Sequence, residues 1–261
     1  MIDFTAIAPT LQRKLRHGVG RAIADFNLIQ AGDRIAIAVS GGKDSVILAR
    51  ILSVLRHHAP IQYDLVPIMI DMGFGQERAE ATAREALAQC GLELVVERTD
   101  SASVIEEHRR PDSSYCSFCA RLKRGALYGA ARRLHCNILA LGHHQDDFIE
   151  TLLLNQFFIG TIKAMAAKTL CDTGDITVIR PLVYVSEAHI IEAARQAHLK
   201  TGGCECPMAG PDQQRQKMKR LIHDLSADIP HIKESLLAAL GNIQPRHLLD
   251  TRLTDLLEAQ K

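Results

Sequence analysis

Residues 35–45 read Ile-Ala-Ile-Ala-Val-Ser-Gly-Gly-Lys-Asp-Ser. The first five are an apolar run of strand length that stops at a glycine turn, and from Val46 to Leu55 the apolar side chains recur at helical spacing. That is strand, loop, helix. Gly41 and Gly42 let the backbone turn tightly enough for successive N–H groups to point into one concavity, and the amino terminus of the following helix adds partial positive charge. The product is an anion cradle, in which Lys43 neutralises phosphate charge and the hydroxyls of Ser40 and Ser45 donate to phosphate oxygens. A Walker loop would need four residues between its first glycine and the Gly-Lys pair, and this stretch has no such spacer. Asp44 adds little to a phosphate grip but suits a Mg²⁺ ligand on a departing pyrophosphate. A plain glycine turn is the competing account, and the strand-loop-helix setting argues against it.

Outward from this point the alternation continues. Strands are predicted near 64–70, 92–98, 137–142 and 177–180, with helices over 77–89, 119–134, 145–158 and from Ser186. Strands separated by helices of that length build a doubly wound parallel sheet, α/β in class, with ligands bound beyond the carboxyl ends of the strands. Residues 10–27 read as an amphipathic lead-in helix. Beyond Gly203 the chain turns polar and helical, punctuated by Pro207, Pro211, Pro230 and Pro245. The expected division is 1–31, a helical lead-in; 32–200, the nucleotide-binding α/β domain; and 201–261, a cysteine loop with a small helical appendage.

Composition sets the class. With 47% hydrophobic and 23% charged residues in 261, the chain can bury a full core. It shows neither a signal-peptide pattern nor an apolar run of membrane-spanning length, so a cytoplasmic protein without membrane attachment is expected. The formal net charge of +1 gives almost no bulk attraction to nucleic acid. Local clusters carry more information: Arg13, Lys14, Arg16 and Arg21; Arg121, Lys123 and Arg124; Arg215, Lys217, Lys219 and Arg220. Each also reads as an ordinary solvated helix face.

Seven cysteines, an odd number, argue for free thiols or metal ligands rather than a disulfide framework. Cys116-Ser-Phe-Cys119 is a CxxC at a loop-to-helix junction, where one turn brings both sulfurs to one side and the helix dipole favours thiolates. Redox, zinc and iron–sulfur roles all fit that motif. Cys204-Glu-Cys206, in a glycine- and proline-rich stretch, can add a further ligand. Three sulfurs would leave one iron of a cluster open, whereas structural zinc takes four ligands. Cys90 and Cys136 read as buried small hydrophobes, and Cys171 lacks ligand spacing. Between a strand and a helix, Gly142-His143-His144-Gln145-Asp146-Asp147 places two imidazoles and two carboxylates beside the expected nucleotide. They suit Mg²⁺ binding or proton handling, with one aspartate capping the helix.

Ser-Gly-Gly-Lys-Asp-Ser in this setting resembles the pyrophosphatase loop (PP-loop) of adenine nucleotide alpha-hydrolase-like enzymes, which cleave ATP to AMP and pyrophosphate. By that resemblance Asp71, at the end of the second strand, approaches the nucleotide; its other reading is a strand-end turn residue. More specifically, IADFNLIQAGDRIAIAVSGGKDS, CSFCARLKRGALY, ALGHHQDDFIETLLLNQFF, VIRPLVYVSE, QQRQKMKRL and GNIQPRHLLDTRL together resemble the tRNA 2-thiocytidine synthetase family over residues 10–255. The resemblance implies an ATP- and Mg²⁺-dependent enzyme with a 4Fe-4S cluster. It would thiolate cytidine 32 in the tRNA anticodon loop and take sulfur from a cysteine desulfurase. It implies Cys116, Cys119 and Cys204 as cluster ligands, with Cys204 preferred to Cys206. It further implies Lys43, Asp44, Asp146 and Cys204 as catalytic residues. Nucleotide contacts would come from Ser40, Gly41, Gly42, Lys43, Asp44, Ser45, Asp71, Gly142, His143 and Asp147. The family's Pro-Pro-Lys-Leu stretch is Ala166-Ala167-Lys168-Thr169 here, and its Gly-Ser-Gln after the third cysteine is Met208-Ala209-Gly210. These departures leave the acceptor open to another nucleoside or small molecule. The remaining alternatives are an adenylate-forming amide ligase without a cluster and a non-catalytic zinc-bearing RNA-binding module. A homodimer is compatible with the sequence.

Overall fold

The structure, a computed structural model, describes residues 2–108, 115–200 and 213–252. A six-stranded sheet organises the chain. Its strands are β1 (Arg34–Val39), β2 (Asp64–Asp71), β3 (Val95–Arg98), β4 (Ile138–Ala140), β5 (Lys168–Leu170) and β6 (Thr177–Ile179), in the spatial order β3-β2-β1-β4-β6-β5. Five run parallel, whereas β5 lies antiparallel to β6 at the edge. The strand preceding β6 is the one the sequence pattern does not predict. All three of its residues are exposed, so it carries no apolar alternation to betray it.

The central strands are buried along nearly their whole length, as a sheet covered on both faces requires. The helices are α1 (Pro9–Asp25), α2 (Lys43–His58), α3 (Glu77–Ala88), α4 (Ser101–His108), α5 (Tyr115–Arg133), α6 (Gln145–Leu154), α7 (Glu187–Gln196), α8 (Gln213–Asp228) and α9 (Ile232–Ala239). Helix α2 packs with α1, α3 and α7, while α4 pairs with α5. Leu127, Ala130 and Ala131 of α5 close a core with Val66, Ile68 and Ile70 of β2. Helix α4 lies in a stretch whose sequence reads as a connection. The helix expected over 145–158 ends at Leu154, and residues Asn155–Ile159 widen into a single π turn.

The chain separates into two compact units, Met1–Asp147 with Ala166–Pro211, and Phe148–Met165 with Asp212–Lys261. The first holds the sheet and its covering helices. Within the second, Ile149 and Leu153 of α6 meet Met218 and Ile222 of α8 in a small core. Among the described residues, no helix is long and apolar enough to cross a membrane.

Candidate active site

Strand β1 connects to β2 on one side of the sheet, while its other neighbour is β4, so the chain order reverses between β1 and β4. The loops leaving the carboxyl ends of these two strands therefore diverge to opposite faces and open a crevice between them. The first is Ser40–Gly42, the second Leu141–His144. They nearly touch: a Cβ on Gly142 would stand 3.1 Å from the Ser45 amide nitrogen and 3.2 Å from the Asp44 carbonyl carbon. Gly41 is constrained as well, with φ of +76° and only 2.7 Å between an added Cβ and that of Ala79.

Inside the first loop the serines fold the turn onto itself. Ser45 Oγ accepts the Ser40 N–H at 3.2 Å and donates to the Gly42 carbonyl at 3.0 Å, while Ser40 Oγ accepts the Gly42 N–H at 3.3 Å. Lys43 opens α2 and turns its ammonium to two carboxylates, 3.1 Å from Asp44 Oδ1 and 3.2 Å from Glu187 Oε1. Burial alone would pull the Lys43 pKa down, but Asp44 and Glu187 outweigh it and the net shift is upward. Asp44 Oδ1 is buried, and what it meets there are the Lys43 ammonium at 3.1 Å and His144 Nε2 at 3.9 Å.

The second loop contributes His144, Asp146 and Asp147, and here the two aspartates divide their labour. Asp147 accepts the His144 N–H at 2.9 Å, the return bond of a capping box that starts α6. Asp146 accepts the Glu187 N–H at 2.6 Å and so fastens the start of α7 beside the crevice. His144, buried among acids, has Nε2 3.9 Å from both Asp44 and Glu187, and Nδ1 3.4 Å from Asp147. His143 turns elsewhere, accepting at Nδ1 from Arg180 Nε at 3.3 Å. Burial, and then neighbouring Arg124, lower the Arg180 pKa, with Tyr128 opposing them.

Asp71 ends β2, next to β1, and its carboxylate is engaged locally. It accepts the Gly73 N–H at 2.9 Å and pairs with Arg98 at 3.4 Å. Cys116 and Cys119 lie three positions apart in the first turns of α5. The Cys119 side chain is half-buried, whereas that of Cys116 is outside the described set. Cys204, Cys206 and Met208-Ala209-Gly210 also lie outside the described residues. Among the described residues, no three His, Cys, Asp or Glu side chains are arranged to hold a metal ion. Cys90, Cys136 and Cys171 are buried, and burial raises the thiol pKa of the first two, as suits inert packing residues.

Glu187 and Arg180 are site residues that sequence reasoning misses. Their only signal is membership of the Val178–Glu187 segment quoted for its resemblance, because Glu187 meets Lys43 across 144 positions of chain.

Comparison with known proteins decides the family. Residues 9–201 match the PP-loop domain family. The tRNA-cytidine(32) 2-sulfurtransferase of Geobacter metallireducens is 56% identical over 247 residues, covering 94% of this chain and 96% of its own. The chain belongs to the tRNA-cytidine(32) 2-sulfurtransferases. The Geotalea uraniireducens member of this family is 55% identical, covering 95% of this chain and 98% of its own. In fold the chain also resembles the U34-tRNA thiolase NcsA from Methanococcus maripaludis, solved with its [4Fe-4S] cluster. The TM-score is 0.73 at 23% identity, with 90% of this chain and 79% of that one covered. Family membership accounts for the PP-loop sequence at the β1–α2 junction and identifies an enzyme of the sulfurtransferase class.

Proposed function

We propose that this protein thiolates cytidine 32 of transfer RNA to 2-thiocytidine, activating the base with ATP. The observation that carries the reading is the apposition of the Ser40–Ser45 loop and the Gly142–Asp147 loop at the sheet's switch point, in a chain that shares more than half its residues with sulfurtransferases of that name. In the first step the C2 oxygen of the base attacks the α-phosphorus of ATP and pyrophosphate leaves. The loop amides of Gly41 and Gly42 and the ammonium of Lys43 stabilise the charge that develops on the departing group. In the second step a sulfur nucleophile adds at C2 and AMP departs with the original oxygen.

Asp146 and Asp147 serve this chemistry by fixing the second loop, and His144 lies within 3.9 Å of four carboxylates. Asp71 and His143 would border the nucleotide. The buried Asp44 Oδ1, whose near neighbour is the Lys43 ammonium, is a hard oxygen donor and fits a Mg²⁺ ion, which would neutralise pyrophosphate charge. Cys116 and Cys119, three positions apart at the start of α5, with Cys204 as the third ligand, would hold a 4Fe-4S cluster, which would supply an open iron for sulfur. A cysteine desulfurase is the proposed sulfur source, and the cytoplasm the proposed location.

Mass spectrometry of nucleosides from the tRNA of a deletion strain tests the reading. 2-Thiocytidine should disappear and return with the wild-type gene; its persistence would remove the proposal. Iron and acid-labile sulfide on anaerobically purified protein test the cluster. Cys116→Ala, Cys119→Ala and Cys204→Ala should each lose it, and a Cys204→Ala protein retaining the full complement would transfer that role to Cys206.

A further inference from the structure

Helix α6 leaves the crevice carrying Asp146 and Asp147, runs to Leu154, and opens into the π turn Asn155–Ile159, which Gly160 closes with φ of +75°. Isolated π turns inside helices recur at functional positions. This one ends in an apolar protrusion: Phe157 is 56% exposed, Phe158 51%, Ile159 68% and Ile162 65%. Two of the protein's seven phenylalanines, neighbours in sequence, are thus about half exposed to solvent. The protrusion is tied down. Asn155 Nδ2 donates to the carbonyls of Thr151 and Lys163, each at 2.9 Å, and the Thr161 N–H returns to Asn155 O at 3.1 Å. An ordered loop that holds aromatic rings outward presents a surface, and its occupant must be something other than this segment's own core.

Charge selects the occupant. The segment Phe148–Met165 contains one acid, Glu150, and that side chain is 1% exposed, whereas Lys163 at the end of the protrusion faces solvent. The same compact unit contains α8, where Lys219 pairs with Glu150 while Lys217 and Arg220 are exposed, with no acid before Asp224. A second copy docking through this face in two-fold symmetry would set Lys163 and its surroundings against themselves, like charge against like. Unpaired RNA meets both demands, because its bases offer flat π faces to aromatic rings and its phosphates suit lysine and arginine.

We propose that Phe157 and Phe158 form a stacking platform for unpaired bases of the tRNA anticodon loop, with Lys163 and the exposed cations of α8 receiving the flanking phosphates. This rests on the tRNA thiolation reading and adds to it the surface that grips the loop. Stacking tolerates any aromatic ring and fails with alanine, so the signature is chemical as well as energetic.

The test is fluorescence anisotropy with full-length protein and unmodified tRNA. Phe157→Ala/Phe158→Ala should weaken binding by about ten-fold or more, while Phe157→Trp/Phe158→Tyr should restore it and both variants should keep wild-type affinity for ATP. On tRNA whose anticodon-loop bases are replaced by abasic sites, the alanine pair should cost nothing further. Unchanged tRNA binding by the alanine variant, with 2-thiocytidine still made at wild-type KM, overturns the platform and leaves the enzyme reading intact. Sedimentation showing that the alanine variant dissociates a wild-type dimer, with tRNA affinity per protomer unaltered, overturns it in favour of a self-interface. A wild-type protein that neither binds tRNA nor restores 2-thiocytidine defeats the enzyme reading itself, and this inference with it.

Discussion

At the scale of single residues, the crevice depends on glycines that nothing else can replace and on a lysine whose charge is fixed. Gly142 has backbone, not a flexible side chain, on the far side of its missing Cβ, at 3.1 Å from the Ser45 nitrogen. Gly142→Ala must therefore push the two loops apart. It should cost about 1–3 kcal/mol of stability and raise the KM for ATP beyond what the fall in melting temperature alone would suggest, read by thermal unfolding and by AMP release side by side. Gly41 forbids a side chain for two reasons at once, its left-handed φ and the nearby Ala79. For Lys43 the sign is definite. Its folded pKa lies above the ordinary value of 10.5, so the stabilisation from its carboxylate partners is present below the unfolded pKa and is lost only as pH climbs through the raised one. Across roughly pH 6 to 9 the lysine stays cationic and acts as a charge, never as a base. Lys43→Ala should abolish AMP release while leaving cluster content unchanged, and Lys43→Arg should retain partial activity with no new ionisation in the pH profile.

At the scale of elements, the readable parts are those whose signal is local. The β1–α2 junction announces itself through an apolar run, two glycines and a renewed helical period, and α3, α5 and α7 follow from their spacing. What escapes notice depends on partners distant in the chain. Strand β5 exists because β6 offers it an edge, and its exposed Lys168-Thr169-Leu170 has no pattern of its own. Helix α4 is short and depends on packing with α5, and Glu187 gains its meaning only when α7 begins beside Lys43. In the site, the sequence offers both His143 and His144, and the imidazole among the carboxylates is His144; adjacency in the chain cannot tell which of two neighbours meets the acids. The pairing of α6 with α8 is a further case. Glu150, 1% exposed, lies 3.7 Å from both Arg215 and Lys219, beside a core of Ile149, Leu153, Met218 and Ile222. Glu150→Ala removes the anion that draws two cations onto α6. Because Arg215 and Lys219 are 38% and 45% exposed, the loss should be about 2 kcal/mol, below the range for a fully buried pair. Faster amide exchange confined to α8 and the end of α6 would register it; uniform protection would show that the apolar core alone joins the helices.

At the scale of the whole molecule, a formal net charge of +1 means that the protein has no general attraction for a polyanion. Whatever electrostatic attraction it has for tRNA must come from where its cations lie, and two arginines of equal charge should then behave differently. Arg121 is exposed on α5, two residues past Cys119. Arg56 sits in the last turn of α2, whose first residue is Lys43, so it lies ~20 Å from the loop along the helix axis. That distance is about twice the screening length in physiological salt, and helix α2 carries Arg56 toward the amino edge of the sheet, away from the crevice. Arg121→Glu and Arg56→Glu change the net charge identically. If short-range pairing with phosphates governs binding, Arg121→Glu should weaken tRNA binding several-fold and flatten the dependence of log K on log salt by about 0.7–0.9 for each phosphate no longer neutralised, and Arg56→Glu should do neither. Equal losses from the two substitutions would mean that a long-range field steers the RNA, and would return the α5 cluster to an ordinary solvated helix face.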